Sequence, residues 1–204
     1  GRAVTLPKLT PMDPGAAMLE IEGLSTSGGG ASALRNIDLT IHAHEIIGIA
    51  GVAGNGQRIL ADVLSGLKGD FSGSVRLHGK PLAAGRPRAI VASGVGRIPE
   101  DRHARGMVGD MEIWENLFSE DLRSRAVSRW GLIIDRKNAT ARAERQIAEF
   151  DVRCEGPDAE TKLLSGGNMQ KLILARALSR EPSFILANQP VRGLDEGAIA
   201  YVQN

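Results

Sequence analysis

The amino-acid sequence predicts an α/β lobe of the phosphate-loop kind, carrying an antiparallel β subdomain and an α-helical subdomain. Three observations predict it. Apolar and polar residues alternate around Leu19 and Ile21, over Ile37, Leu39 and Ile41, and again at Val75 and Leu77, the pattern of strands with one buried face. Residues 45–50 (EIIGIA) form a short apolar run, followed at once by glycines and then by a helical pattern over 57–67. That order of strand, Gly-rich loop and helix is the layout of a phosphate loop. A helical pattern over 167–180, with Met169, Leu172, Ile173 and Ala177 in register, precedes a second short buried strand at 184–187. The alternation of strand, loop and helix predicts a parallel sheet with covering helices.

In chain order, residues 1–17 contain Pro7, Pro11 and Pro14 without apolar periodicity and read as a linker. The start at Gly1, without an initiator Met, is what a fragment or processed chain would show. The lobe occupies 18–204, with a Gly28-Gly29-Gly30 loop between its first two strands and a helical insertion at about 105–162 that includes a helix over 140–150. The 204 residues suit one domain of ordinary size. Aromatics make up only 3% of the chain, so the core must be aliphatic.

Composition also excludes function classes. The 25 basic and 24 acidic residues leave a net charge of +1, which gives no reason to expect a nucleic acid or a polyacidic partner. The single cysteine, Cys154, rules out an intramolecular disulfide framework and a cysteine metal cluster, and reads as an ordinary thiol. His42, His44, His78 and His103 lack metal-ligand spacing and read as surface or structural residues, so no metal site is assigned. No apolar run is long enough to span a bilayer and no signal-peptide pattern is found, so the expectation is a soluble, cytoplasmic chain.

The candidate phosphate loop runs Gly51-Val52-Ala53-Gly54-Asn55-Gly56-Gln57-Arg58. Against the pattern G-x-x-x-x-G-K-S/T, Gly51 and Gly56 are in place and Gly54 adds a third glycine. These let backbone N–H groups curl around phosphate oxygens at a helix N-terminus. Gln57 stands where the lysine belongs and Arg58 where the magnesium-binding hydroxyl belongs. The anion cradle can survive; the lysine charge and the metal ligand do not.

A second motif, Leu164-Ser165-Gly166-Gly167-Asn168-Met169-Gln170-Lys171, opens a helix. A serine hydroxyl and the N–H groups of two glycines present donors at a positive helix end; a plain serine N-cap would account for Ser165 alone. With this string the chain resembles the ABC ATPase superfamily, whose signature is L-S-G-G-Q. Other pieces follow the family's order. Arg97-Ile98-Pro99-Glu100-Asp101-Arg102 lies at the Q-loop, with Glu100 in the glutamine's place. That carboxylate reads either as a group that still touches a metal or water, or as a plain surface carboxylate. Residues 110–117 (DMEIWENL) match the segment that faces the membrane subunit, 184–190 match the Walker B strand, and Gly193-Leu194-Asp195 matches the D-loop.

Where the family carries a Walker B Asp and Glu, this chain has Asn188 and Gln189. Neutral amides of the same shape cannot hold a cation strongly or accept a proton. Four charge-bearing or metal-binding positions are thus altered together (Gln57, Arg58, Asn188 and Gln189) beside an intact signature. The strings GVAGNGQ, PEDRHARG, ENL, LSGGNMQK and NQPVRGLD resemble the C-terminal halves of tandem ATPases that serve simple-sugar and nucleoside importers, with NMQK and NQP leaning towards the nucleoside branch.

The resemblance implies a nucleotide-binding lobe paired head to tail with a second ABC ATPase lobe, the N-terminal half of the same polypeptide, at the cytoplasmic face of the inner membrane. Transmembrane permease subunits and, indirectly, a solute-binding protein are the further partners; nucleic acid is not. ATP is the cofactor, with Mg2+ weak or absent in the chain's own site. Gly51, Gly54, Asn55, Gly56, Gln57 and Arg58 are the nucleotide-binding positions, and no catalytic residue acts in cis. Ser165, Gly166, Gly167, Asn168 and Gln170 form the signature offered to the partner's ATP. The assembled transporter would be an ATPase and the isolated chain inactive. The family's switch histidine and last strands are missing before Asn204, which implies an incomplete sheet edge. No aromatic residue stands in 25–32 to stack on adenine. Trp114 and Trp130 are expected in the core, with contact to a membrane partner a second role for Trp114. The alternatives are a fully active ABC ATPase and, from another class, a non-transport ABC protein acting on nucleic acid or the ribosome; the charge balance and the DMEIWENL segment argue against the latter.

Overall fold

The computed structural model describes residues 12–27, 32–124 and 127–203. The residues before about Met12 and the Gly28-Gly29-Gly30 loop lie outside them. Two units divide between Val95 and Gly96.

The first unit is built on an antiparallel sheet of order β2-β1-β3-β4, with β1 at Ala17–Thr26, β2 at Ile37–His42, β3 at Phe71–Leu77 and β4 at Lys80–Pro81. The alternation seen in the sequence sets its register. Leu19 pairs with Leu77 on one side and Ile41 on the other, and Ile21 with Val75 and Leu39. Leu19, Ile21 and Leu24 are buried to 2% exposure or less. Between Glu22 and Ser25 the ladder shifts register, and Gly73 on β3 faces that bulge with φ +94°. A Cβ on Gly73 would lie 2.5 Å from the Gly23 carbonyl oxygen, so only glycine fits. Helix α1 (Gln57–Leu64) buries Leu60, Val63 and Leu64, and the short α2 (Pro87–Ala92), opened by its N1 proline, buries Ile90 and Val91.

One predicted strand is not formed. Residues 45–50 pair with no strand among the described residues, and Ile46 and Ile49 are 84% and 56% exposed. A continuous apolar run becomes a strand only when neighbours cover both faces and edges, and the sequence does not say whether they do. The sheet expected to carry covering helices is, among the described residues, the two-stranded pair of β5 (Val95–Ile98) and β8 (Phe184–Ala187). β8 forms where expected, but it alternates half-buried with exposed residues instead of being wholly buried.

The second unit packs around α5 (Gly166–Leu178), in which Met169, Leu172, Ile173, Ala175 and Ala177 are each at most 3% exposed. Burying a Leu or Ile completely is worth about 1.5–3 kcal/mol, so Leu172 and Ile173, both at 0%, anchor the helix. Against it lie Ile113, Trp114, Leu117 and Phe118 of α3 (Ile113–Phe118) and Ala139 and Ala143 of α4 (Arg136–Glu149). Glu112 and Glu115 form a reciprocal capping box at the start of α3, and Asp135 caps α4 through the Asn138 N–H at 3.2 Å. Asn116, 1% exposed, donates from Nδ2 to the Val108 carbonyl and to Thr161 Oγ1, both at 2.8 Å, and accepts from the Val108 N–H at 2.9 Å. Between α3 and α4 a hairpin joins β6 (Ser128–Arg129) to β7 (Ile133–Ile134). Trp114 is in the core at 5% exposure, as expected. Trp130 is not: it sits in the hairpin turn with φ +54° and is 83% exposed. The last helix, α6, spans Glu196–Gln203.

Candidate functional site

The candidate residues fall into two groups, the phosphate loop in the first unit and all the rest in the second. Gly51–Gly56 is an irregular loop that leads directly into α1. Gly54 and Gly56 take φ of +96° and +95°, left-handed conformations that let successive N–H groups turn inward. Gly56 is the residue before the helix, and a Cβ on it would lie 2.9 Å from Leu34 Cδ2 and 3.2 Å from the Ser32 carbonyl oxygen. The first turn of α1 carries no acidic residue, so its N-terminus suits an anion. The Gln57 side chain folds back over the loop: Nε2 donates to the Val52 carbonyl at 3.2 Å and lies against the Gly51 Cα hydrogen positions. Asn55 donates its N–H to the same carbonyl at 3.3 Å. The amide at the lysine position is therefore taken up by the loop's own backbone, while Arg58 is exposed.

In the second unit Asn188 follows β8 and donates its backbone N–H to the Ile98 carbonyl at 2.9 Å. Gln189 is exposed with φ +48° and opens the turn in which Arg192 donates its N–H to the Gln189 carbonyl at 3.0 Å. Glu100 is not a bare surface carboxylate: it is ion-paired with Arg192. Arg102 lies beside them in a π-helical turn, Arg102–Gly106, capped by Asp101. The Ala104 and His103 N–H groups hold the Asp101 carboxyl below its ordinary range. Asp195 caps α6, accepting from the Ala198 N–H at 2.8 Å.

At the signature, Ser165 is the N-cap of α5. Its Oγ accepts from the Asn168 N–H at 3.4 Å and from Asn168 Nδ2 at 3.0 Å. Asn168 Oδ1 in turn accepts from the Arg153 N–H at 2.9 Å, so Asn168 braces the serine against the preceding loop. Gly166 faces the Arg102 guanidinium, and a Cβ on Gly167 would lie 3.3 Å from Ala198 Cβ. The signature glycines are thus close-approach positions for α6 and Arg102, a packing role that the sequence did not disclose. Gln170 is 2% exposed, and its Nε2 has no hydrogen-bond partner among the described residues; it belongs to the buried face of α5. Lys171 pairs with Asp151 at 2.5 Å, lowering that carboxyl's pKa, and lies 4.5 Å from the centre of the Tyr201 ring. Of residues 110–117, Ile113, Trp114, Asn116 and Leu117 face the core; Asp110 and Met111 are exposed.

The second unit therefore brings together Glu100, Ser165, Gly166, Gly167 and Asp195 with Arg102, Arg192 and Ala198, to which the sequence motifs assign no individual role. Arg102 and Arg192 are separated by 90 positions, and no local pattern links them. No group of three His, Cys, Asp or Glu side chains among the described residues is placed to hold a metal ion. With amides at 188 and 189, the donor chemistry there does not fit Mg2+. The loop backbone and α1 fit a phosphate, without a lysine.

A family model described as ABC transporter matches residues 34–192. The glucose import ATP-binding protein TsgD13 of Haloferax volcanii is 42% identical over 193 residues, covering 93% of this chain and 35% of its own. The guanosine import ATP-binding protein NupO of Bacillus subtilis is 40% identical over 190 residues, covering 93% and 37%. The nucleoside import ATP-binding protein NupA of Lactococcus lactis is 38% identical over 204 residues, covering 99% and 40%. The chain thus spans well under half the length of these relatives. A dimeric ATP-binding cassette solved in a post-hydrolysis state with ADP and phosphate superposes with a TM-score of 0.72 at 21% identity, over 91% of this chain and 79% of that one. At that identity the likeness is one of fold. Strands, Gly-rich loop, signature string, family match and superposition agree: the chain belongs to the ABC transporter family and has the fold of its ATP-binding cassettes.

Proposed function

We propose that this chain is the ATP-binding half of an importer for a sugar or nucleoside, that its own nucleotide site is degenerate, and that its signature completes the site of a second lobe. The observation that carries the reading is the contrast within one chain. The signature keeps its serine at a helix N-terminus with both glycines, while Gln57, Arg58, Asn188 and Gln189 together remove lysine charge, metal ligand and base. The names of the relatives support the importer and its solute class.

Each residue then has a task. The γ-phosphate of the partner's ATP supplies the reacting group; Ser165 keeps its oxygen towards the Asn168 N–H and turns its proton outward as a donor, and the first N–H groups of α5 favour the anion. Its own loop holds a nucleotide weakly, through backbone N–H groups and without magnesium. Among the described residues no helix is long and apolar enough to cross a membrane, and the proposal places the chain peripherally at the cytoplasmic face, against permease subunits and with a second ABC ATPase lobe.

The test uses the complete transporter. Ser165→Ala removes the donor and is expected to lower ATP turnover by roughly a hundredfold or more. It also removes a helix cap worth about 1 kcal/mol, so Ser165→Asp is the control: aspartate caps as well as serine but sets an anion beside the phosphate. Loss of turnover in both, with an unchanged melting temperature for Ser165→Asp, is the expected result. Wild-type turnover in Ser165→Asp sinks the reading.

A further inference from the structure

Arg102 stands where three segments of the second unit meet. Its Nη1 donates to the Arg192 carbonyl at 2.8 Å and its Nη2 to the Gly193 carbonyl at 3.0 Å. The same guanidinium lies against the first residue of the signature helix, where a Cβ on Gly166 would be 3.4 Å from Nη2 and 3.5 Å from Nε. The Arg192 side chain returns to Glu100. The turn after β8 is therefore held twice by residues 100 and 102, once through its backbone carbonyls and once through a side chain. Two residues further on, Asp195 caps α6, whose Ala198 packs on Gly167. Signature and D-loop are thus joined on both sides, by Arg102 at Gly166 and by Ala198 at Gly167.

We infer that Glu100 is a positioning residue, neither a substitute base nor a metal ligand: it fixes Arg192 and, with Arg102, makes the signature and the Asp195 turn a single rigid piece. This rests on the reading that the signature serves a nucleotide on another lobe. The Glu100 and Arg192 side chains are 25% and 61% exposed, and such a pair contributes little to global stability. Its value lies in geometry, since a misplacement of about 1 Å near reacting groups can cost ~100-fold in rate.

The experiment is a double-mutant cycle on ATP turnover in the complete transporter, with Glu100→Gln, Arg192→Gln, the double variant and the charge swap Glu100→Arg with Arg192→Glu. Each single change is expected to lower kcat about tenfold, with KM and the pH profile unchanged. The double variant falls no further than either single one, and the swap recovers most of the rate. Arg102→Ala falls further, and Arg102→Lys is intermediate, since an ammonium can serve one carbonyl but not the planar pair. The inference is overturned if Arg192→Gln turns over like wild type while Glu100→Gln loses a limb of the pH profile, or if the two losses simply multiply. Should Glu100→Gln fail to fold, as its melting curve would show, Arg192→Gln and the swap still decide. Failure of the underlying reading is seen separately, as wild-type turnover in Ser165→Asp.

Discussion

Replacing Asn116 with alanine removes three hydrogen bonds at once from the packing between α3 and the segments before and after it. Each such bond is worth about 0.5–1.5 kcal/mol net, so the sum lies at roughly 1.5–4.5 kcal/mol. Two corrections act on it. Val108 is 52% exposed, so water can reach its freed backbone groups and their penalty is partial. Thr161 is wholly buried, but its Oγ1 keeps its bond to the Met111 carbonyl at 2.9 Å. A loss of about 2–3 kcal/mol follows. The assay is urea unfolding monitored by tryptophan emission. Trp114, two residues away and 5% exposed, reports on the second unit, whereas Trp130, 83% exposed, contributes a nearly constant background. With a slope of about 1–3 kcal/mol per molar urea, the midpoint should fall by about 1 M. A midpoint within ~0.2 M of wild type at unchanged slope would refute the assignment of Asn116 as the polar staple of this unit.

Two further outcomes are expected. In the isolated chain, Gln57→Lys with Arg58→Ser should tighten ATP binding in calorimetric titration, because a lysine replaces the amide now bonded to the Val52 carbonyl, while phosphate release stays at background; release that vanishes in Glu100→Ala would show a working ATPase. Asp70 should titrate at about 2, held there by Lys68 and the Ser27 hydroxyl. Because its folded pKa is depressed, its contribution is present above the unfolded value near ~3.9 and is lost as pH falls through about 2. Carboxyl NMR shifts would check this, and Lys68→Met should move the midpoint up.

What the sequence disclosed follows from how local each cause is. The antiparallel sheet was legible because one-sided burial forces period-two alternation at Leu19, Ile21, Val75 and Leu77, and α5 because a serine cap precedes apolar residues at helical spacing. Residues 45–50 misled because a strand buried on all sides needs neighbours that its own residues do not specify. Trp130 misled for the related reason that an aromatic residue in a helical region says nothing about which turn it occupies. Within the candidate site, residue types at motif positions were readable, but their use was not. Asn168 braces Ser165, Gln170 points away from solvent, and Glu100 is claimed by an arginine 92 positions later, all consequences of chain crossings that leave no periodic trace.

The apolar stretch at 45–50, which forms no strand, bears on how the chain behaves in solution. From Ile46 to Gln57 there is no charged residue, and Ile46, Ile47, Ile49 and Val52 are all at least 45% exposed. Backbone donors and acceptors without a ladder, flanked by β-branched side chains and unprotected by charge, form a template on which another copy can add a strand. Self-association through this stretch is therefore expected to grow with protein concentration and to be unaffected by ATP, which sedimentation at two concentrations would check. Nucleotide-dependent pairing of lobes is then best measured at dilution, with Ile47→Lys as the reference.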